Sequence, residues 1–551
     1  MDIAHIELSV EALIGSLVAL GVFFFLCRSI LAEDIVICIS GKTRHSWKSI
    51  KILEQACFCN VCEILLTPSA GLFCDCCGLC THSAPACQRQ ADAAYHCKDK
   101  WLRNVDEVRH LWVRGNLPMS YSCAECGQET EPDHPQDTSS AGPGLYGWRC
   151  AWCQRCYHDN CYQKVDTKAA CDFGEFRDMI YPPYCIVAAR TRESVRLHLA
   201  GIKPPNIDNW EPLIVIANTK SGSSTGSSVL SLLRGYLHPM QVMELGTRGP
   251  QDALQWAAKT SPRPCRILVA GGDGTIGWVL NTIYTLNIKP QPSVAIMPLG
   301  TGNDLSRILG WGAEPPSTLD PLQILRSIRR ARSVNLDRYD LQIEKLHYRL
   351  PIQRHPIKTI HVYNYFSVGV DAYITYNFHK TRESRFYLLS SRIFNKLLYF
   401  TFGTQQVMQP DCERIEQKLI LHLDNKLVEL PELQSLVFLN IDSWGAGCKL
   451  CELSNSNGEG RIINSISDGM MEVFGIVSSF HIAQLQCNIS KPVRIGQAKQ
   501  IRLQVNATVP MQADGEPWMQ TPADIRLQSR SQARVLKLEP TLTTQQEQQQ
   551  Q

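Results

Sequence analysis

The chain has 551 residues, enough for several domains, each with its own core. Its 55 Lys and Arg nearly balance 52 Asp and Glu; the net charge of +3 gives no argument for nucleic-acid binding and only a weak one for acidic membranes. Of 24 Cys, 17 lie between Cys57 and Cys185 with His interleaved at metal-ligand spacing, which favours zinc in a reducing compartment over a secreted disulfide framework.

The first predicted element is Ala12–Cys27, a 16-residue run without a charge. As a helix it covers about 24 Å, slightly short of the roughly 30 Å hydrocarbon core of a bilayer. The leading segment holds Asp2, Glu7 and Glu11 and no Lys or Arg, which argues against a cleaved signal peptide. Arg28, Lys42, Arg44, Lys48 and Lys51 follow, and the positive-inside bias places the main body in the cytosol, anchored to a membrane such as the endoplasmic reticulum or plasma membrane. A buried core helix and a re-entrant or interfacial helix are the alternatives, since Glu33 and Asp34 break the run before Ile35.

Two cysteine-histidine modules come next. The second, 110–171, is the clearer: His110, Cys123-x2-Cys126, Cys150-x2-Cys153, His158, Cys161 and Cys171. Eight such ligands make two Cys3His sites with no open position, the pattern of structural zinc. The first, 45–97, keeps the order with His45, Cys59-x2-Cys62, Cys74-x2-Cys77, His82, Cys87 and Cys97. It places four residues between His82 and Cys87 where the second module has two, and it carries Cys57, Cys76 and Cys80 in addition. This order resembles the C1 zinc fingers, the diacylglycerol and phorbol-ester type. The resemblance implies that His110, Cys150, Cys153 and Cys171 hold one zinc and Cys123, Cys126, His158 and Cys161 another. Carried to the first module, it implies His45, Cys74, Cys77 and Cys97 for one site and Cys59, Cys62, His82 and Cys87 for the other. The segment from Cys126 to Cys150 is long and polar and no Gln-Gly precedes Cys150, which argues against a high-affinity lipid groove. Asp172-Phe173-Gly174 matches a protein-kinase triplet, but the chain has no His-Arg-Asp loop, so the match is chance.

A polar, charged stretch from about Arg190 to Asn209 reads as a linker. The next domain, 211–348, alternates buried parallel strands with glycine-rich turns and helices. Leu213–Ala217 runs into Asn218-Thr-Lys-Ser221-Gly222; Arg266–Ala270 into Gly271-Gly272-Asp273-Gly274-Thr275; and Ser293–Met297 into Pro298-Leu-Gly300-Thr301-Gly302-Asn303-Asp304. Such an open α/β domain places its site at the strand C-termini. Gly lets backbone amides approach phosphates closely, helix N-termini bind anions, and the two Asp are hard oxygen ligands suited to Mg²⁺. From 360 to 530 the pattern alternates in the β manner and carries two more Asp-Gly turns, Asp468-Gly469 and Asp514-Gly515-Glu516. A Gln-rich tail, 540–551, ends the chain.

Gly-Gly-Asp-Gly-Thr, Pro-Leu-Gly-Thr-Gly-Asn-Asp, Asn364-Tyr-Phe-Ser-Val-Gly-Val-Asp-Ala372 and Asp-Gly-Glu-Pro-Trp518, in that order, resemble the eukaryotic diacylglycerol kinases over about residues 45–530. With a hydrophobic N-terminal segment and two C1 modules, the layout is most like the family's epsilon type. The resemblance implies transfer of the ATP γ-phosphoryl group to 1,2-diacylglycerol in membranes, giving phosphatidic acid. That reaction attenuates diacylglycerol signalling and feeds phosphoinositide resynthesis. It implies ATP phosphates held by Asn218, Ser221, Gly222, Gly271, Gly272, Gly274 and Thr275, and by Gly300, Thr301, Gly302, Asn303 and Asp304. Mg²⁺ would be organised by Asp273 and Asp304, with Asp337 and Asp468 in the wider network. A carboxylate must accept the hydroxyl proton: Glu516, with Asp514 beside it, is the first choice and Asp273 the second. The rival readings are a sphingosine or ceramide kinase and a catalytically silent C1 membrane adaptor.

Overall fold

The computed structural model describes residues 38–39, 45–50, 57–68, 70–118, 121–129, 145–191, 194–220, 225–246, 249–345, 357–383, 412–455 and 464–539. The apolar run at 12–27, the Gln-rich tail and the loop positions Ser221 and Gly222 lie outside the described residues. Among those described, no helix is long and apolar enough to cross a membrane.

The first module pairs Trp47–Ser49, Gly71–Cys74 and Cys80–His82 in an antiparallel sheet and adds the helix Pro85–Ala94. The second pairs Trp112–Arg114, Trp148–Cys150 and Cys156–Tyr157. Their registers coincide, with Trp47 opposite Cys74 and Trp112 opposite Cys150. Sheets this short bury too little apolar surface to fold on area alone, so each needs a staple. The stretch read as a linker is instead structured: Ile186–Thr191 and Ser194–Ile202 form an antiparallel pair. Val195, Leu197 and Leu199 alternate with Arg196 and His198 there, and this period of two outweighs the polar composition.

The nucleotide lobe is a parallel sheet. Its strands are β1 (Leu213–Ala217), β2 (Val242–Glu244), β3 (Arg266–Gly271) and β4 (Ser293–Pro298), in spatial order β2-β1-β3-β4. Every residue of β1 and β4 is buried, as continuous apolar runs covered on both faces must be. The helices α1 (Thr225–Tyr236), α2 (Gln251–Thr260), α3 (Asp273–Thr285), α4 (Asp304–Ile308) and α5 (Pro321–Arg330) pack on its two faces. On one face α1 and α5 share a core with the second zinc module and the segment that follows it, where Trp152, Phe173 and Met179 join Val229, Leu233 and Leu325.

The accessory lobe is β-rich, as its alternation predicts. An antiparallel six-stranded sheet takes in Tyr365–Gly369, Ser435–Leu439, Met471–Ile476, Val493–Ala498, Val509–Ala513 and Glu516–Gln520. The two lobes are not sequential beads. The last strand, Ala523–Lys537, pairs along Arg332–Lys345, and its end lies parallel to β4, with Val535 opposite Val294. One sheet of ten strands therefore runs through both lobes, and the nucleotide lobe is completed by the C-terminal strand. Such a framework fixes the lobes relative to one another and leaves the site at their junction.

Candidate functional site

At the C-terminal ends of β3 and β4 the two glycine turns touch. A Cβ on Gly300 would lie 2.6 Å from the Gly272 Cα, so only glycine permits this approach. A Cβ on Gly271 would strike the Thr275 side chain at 2.7 Å. Asn218, at the end of β1, donates from Nδ2 to Thr275 Oγ1 (3.0 Å) and accepts the Lys220 amide (3.0 Å), tying the first loop to the second. Asn303 adopts a left-handed conformation (φ 51°) and spends its side chain on its own loop, accepting from Gly300 N and donating to Gly300 O and Ala313 O. It shapes the turn from within.

Asp273 begins α3 and reaches across to the start of α4. Its Oδ2 accepts the Asp304 amide (3.1 Å), and its Oδ1 accepts the Leu305 amide (3.2 Å) and Asn364 Nδ2 (3.3 Å). Asp304 is buried; Ser443 Oγ donates to its Oδ1 at 2.5 Å and the Ala446 amide to its Oδ2 at 3.3 Å. The two carboxylates flank one glycine, since a Cβ on Gly302 would lie 3.3 Å from Asp273 Oδ2 and 3.4 Å from Asp304 Oδ2. Burial raises the Asp273 carboxyl above its usual range, and burial together with the Asp273 charge pushes Asp304 up to about 6. Two desolvated carboxylates facing each other resist double ionisation. A divalent cation reverses that balance and takes oxygen ligands of this kind, so the pair fits Mg²⁺.

The accessory lobe supplies the other wall. Glu516 is exposed at the mouth, and its Oε1 lies 3.4 Å from where a Cβ on Gly274 would stand. Asp514 differs from the expectation of a second reactive carboxylate. Its Oδ2 accepts the Tyr363 amide (2.8 Å), and its Oδ1 accepts the Asn364 (2.8 Å) and Tyr365 (3.0 Å) amides. Burial pushes it to about 7, opposed by those three donors. Asp514 therefore fastens the turn that presents Asn364 to Asp273. Asp337 and Asp468, expected in the wider network, meet at a turn of the other lobe. Asp337 is buried, and its carboxylate accepts the Gly469 amide (2.6 Å) and Gln532 Nε2 (2.9 Å) beside Asp468. Among the described residues, no three of Asp273, Asp304, Asp337 and Asp468 converge within 4.8 Å. The four predicted metal carboxylates thus divide into a cleft pair and a turn-fastening pair. Asn440 joins the two places, donating to Asp337 O (3.0 Å) and Tyr363 O (2.6 Å). Arg307, whose Nε reaches Gly302 O at 3.1 Å, closes the Pro298–Arg307 glycine motif, which by itself assigns the arginine no role; Ser443 sits in none of the motifs. Asn364 does open a quoted motif, which gave the one available signal.

The Cys and His donors converge as the resemblance to the C1 fingers implied. Four groups bring their ligand atoms within 4.8 Å: His45, Cys74, Cys77, Cys97; Cys59, Cys62, His82, Cys87; His110, Cys150, Cys153, Cys171; and Cys123, Cys126, His158, Cys161. Cys74 and Cys97 sulfurs lie 3.7 Å apart and Cys150 and Cys171 sulfurs 3.9 Å apart. Tetrahedral bonds of about 2.3 Å to one zinc put sulfurs roughly 3.8 Å apart. Each histidine turns Nδ1 to the sulfurs, at 3.3 Å from Cys62 and 3.3 Å from Cys150, for example. His45 Nε2 faces Tyr95 O and His158 Nε2 faces Glu129 O, the outer bond that fixes a metal-binding tautomer. Cys59 and Cys123 are lowered to about 6: burial opposes the thiolate, and backbone amides around each sulfur outweigh it.

Comparison with known families matches residues 212–336 to the diacylglycerol kinase catalytic domain and 361–517 to the diacylglycerol kinase accessory domain. Residues 110–172 match the phorbol esters/diacylglycerol binding (C1) domain. Among curated relatives, a probable diacylglycerol kinase 3 of Caenorhabditis elegans is 30% identical over 89% of this chain and 64% of its own length. Diacylglycerol kinase iota of Mus musculus is 29% identical over 89% of this chain and 50% of its own length. Diacylglycerol kinase theta of Rattus norvegicus is 36% identical over 56% of this chain and 33% of its own length. The chain thus spans between a third and two-thirds of the length of these relatives.

Proposed function

We infer that the chain belongs to the diacylglycerol kinase family and, from that premise, that it moves the γ-phosphoryl group of ATP to the free hydroxyl of 1,2-diacylglycerol, releasing phosphatidic acid and ADP. The observation that carries this reading is the cleft itself, where Asp273, Asp304 and the glycine turns of one lobe face Glu516 of the other. Phosphoryl transfer needs little covalent participation from the protein; positioning and charge stabilisation supply the rate. The turns at 271–275 and 300–304 and Asn218 hold the triphosphate. Asp273 and Asp304 would bind Mg²⁺, which supplies neutralisation of phosphate charge. Glu516 accepts the proton of the lipid hydroxyl as its oxygen bonds to the γ-phosphorus and the bond to the β-phosphate oxygen breaks.

Four structural zinc ions complete the two N-terminal modules in this reading, and the uncharged 12–27 segment anchors the protein to a membrane with its body in the cytosol. The N-terminal segment with two C1 modules favours the epsilon type within the family. Radiolabel transfer from ATP to diacylglycerol, sphingosine and ceramide in mixed micelles, side by side, tests the activity. Label in phosphatidic acid alone is the expected result; label in a sphingoid phosphate, or in none of the three, refutes it.

A further inference from the structure

Three residues, each next in sequence to a zinc ligand, converge on one end of the helix that follows the first phosphate loop. Lys98, after Cys97, is buried, and its Nζ donates to the carbonyls of Arg234 (3.1 Å), Gly235 (2.6 Å) and Leu237 (3.1 Å) at the C-terminus of α1. Asp75, after Cys74, has a fully buried side chain paired with Arg234 at 2.9 Å. Gln154, after Cys153 of the other module, donates to Gly235 O at 3.0 Å. The last carbonyls of a helix have no partner within it, and cationic and amide donors satisfy them. Here the carbonyls of Arg234, Gly235 and Leu237 find such donors beside the zinc ligands.

The modules also hold each other. Asn116 exchanges two hydrogen bonds with the Phe58 backbone, Asn60 donates to Arg114 O, and Arg149 reaches Cys77 O. Lys98 Nζ further lies 4.9 Å above the Trp152 ring of the second module. The two modules and the end of α1 therefore form one packed unit.

At its other end α1 meets the site. A Cβ on Gly226 would lie 3.2 Å from Asn218 O and 3.3 Å from Thr219 Cα, so the helix start is pressed against the loop. Asn218 then bonds Thr275 in the Gly271–Thr275 turn. A helix of twelve residues is a rod of about 18 Å that transmits an axial shift with little loss. We propose that Lys98, Asp75 and Gln154 are positioning residues for the nucleotide: through α1, the zinc modules set where Asn218 meets the ATP phosphates. This rests on the assignment of that loop to ATP. It gives the modules a task that needs no lipid groove.

The test uses the full-length protein and ATP as probe, read by equilibrium binding as well as turnover. Lys98→Met keeps the stem packed and removes the three donors. Gln154→Ala removes one donor at a half-buried position of the second module. Expected are a roughly tenfold weaker ATP affinity for Lys98→Met and a smaller loss for Gln154→Ala. KM for diacylglycerol should stay within about twofold and zinc content should remain at four per chain. Unchanged ATP affinity in both variants overturns the inference. So does a Lys98→Met protein that fails to fold beside a Gln154→Ala protein with wild-type ATP affinity. If wild-type protein binds ATP but phosphorylates no diacylglycerol, the proposed activity fails while the affinity comparison still decides the role of α1.

Discussion

Replacing Asp514 by Asn separates two roles for a carboxylate two residues before Glu516. As built, its oxygens accept three backbone amides, from Tyr363, Asn364 and Tyr365, at 2.8, 2.8 and 3.0 Å. Asn tolerates the positive φ of 49° found here, so the exchange adds little backbone strain. It keeps one acceptor oxygen, able to serve Asn364 and Tyr365, but turns an amide NH2 toward the Tyr363 N–H. One buried donor is orphaned and two charge-assisted bonds become neutral. An orphaned buried donor costs about 1–3 kcal/mol, and the lost charge assistance roughly another 1 kcal/mol. Thermal unfolding of the catalytic region should fall by several degrees. The turn also carries Asn364, whose Nδ2 reaches Asp273 at 3.3 Å, so kcat should drop on the order of tenfold through misplacement. The acid limb of the kcat–pH profile should remain, since Glu516 is untouched. The assay pairs differential scanning calorimetry with kcat–pH profiles on diacylglycerol micelles. Unchanged unfolding, with kcat lost by 10² or more and the acid limb gone, would show that Asp514 is itself the base.

Glu516→Gln should lower kcat by roughly 10²–10⁴ with unfolding unchanged, because the side chain is exposed at the mouth of the cleft; a near-wild-type rate removes it from proton transfer. Asp273→Asn should lower kcat by about 10² or more, and some loss of stability should accompany it, as the carboxylate also accepts the Asp304 and Leu305 amides; full activity would exclude it from the metal and phosphate site. Cys153→Ser should release one zinc and unfold the second module, since a structural site supplies roughly 10–16 kcal/mol; purified protein should hold four zinc ions, and intramolecular disulfides found by mass spectrometry instead would refute the metal assignment. A chain beginning at Lys42 should keep activity in detergent micelles and move from the membrane to the soluble fraction; fractionation like full-length protein after a high-salt wash would shift the anchor to the zinc modules or the catalytic surface.

What could be read from the sequence was local. Gly271–Thr275 and Gly300–Asp304 announce a phosphate site because the two turns meet where a Cβ on Gly300 would lie only 2.6 Å from the Gly272 Cα, and the requirement for glycine is written into consecutive residues. The zinc ligands were equally legible, since Cys-x2-Cys knuckles and the following His carry their geometry in their spacing. The rest depends on residues far apart along the chain. Asp273 meets Asn364 across 91 positions and Asp304 meets Ser443 across 139, and no spacing rule connects them. Asp514 reads as a reactive carboxylate and Asp337 as part of the metal network because turn-fastening and reactive or metal-binding carboxylates share the same letters. Only the amides they accept show that they fasten turns. Lys98 is the sharpest case. A lysine beside a zinc ligand reads as surface, yet three carbonyls and a tryptophan face hold it in the interior. A buried lysine satisfied in this way is costly to place and is best explained by what it joins: zinc modules that need metal to fold, and a helix that begins at the phosphate loop. The same interaction that makes the modules inseparable from the catalytic lobe makes their metal content a condition on nucleotide binding, which is why ATP affinity, rather than lipid affinity, is the quantity that the zinc-adjacent substitutions should move.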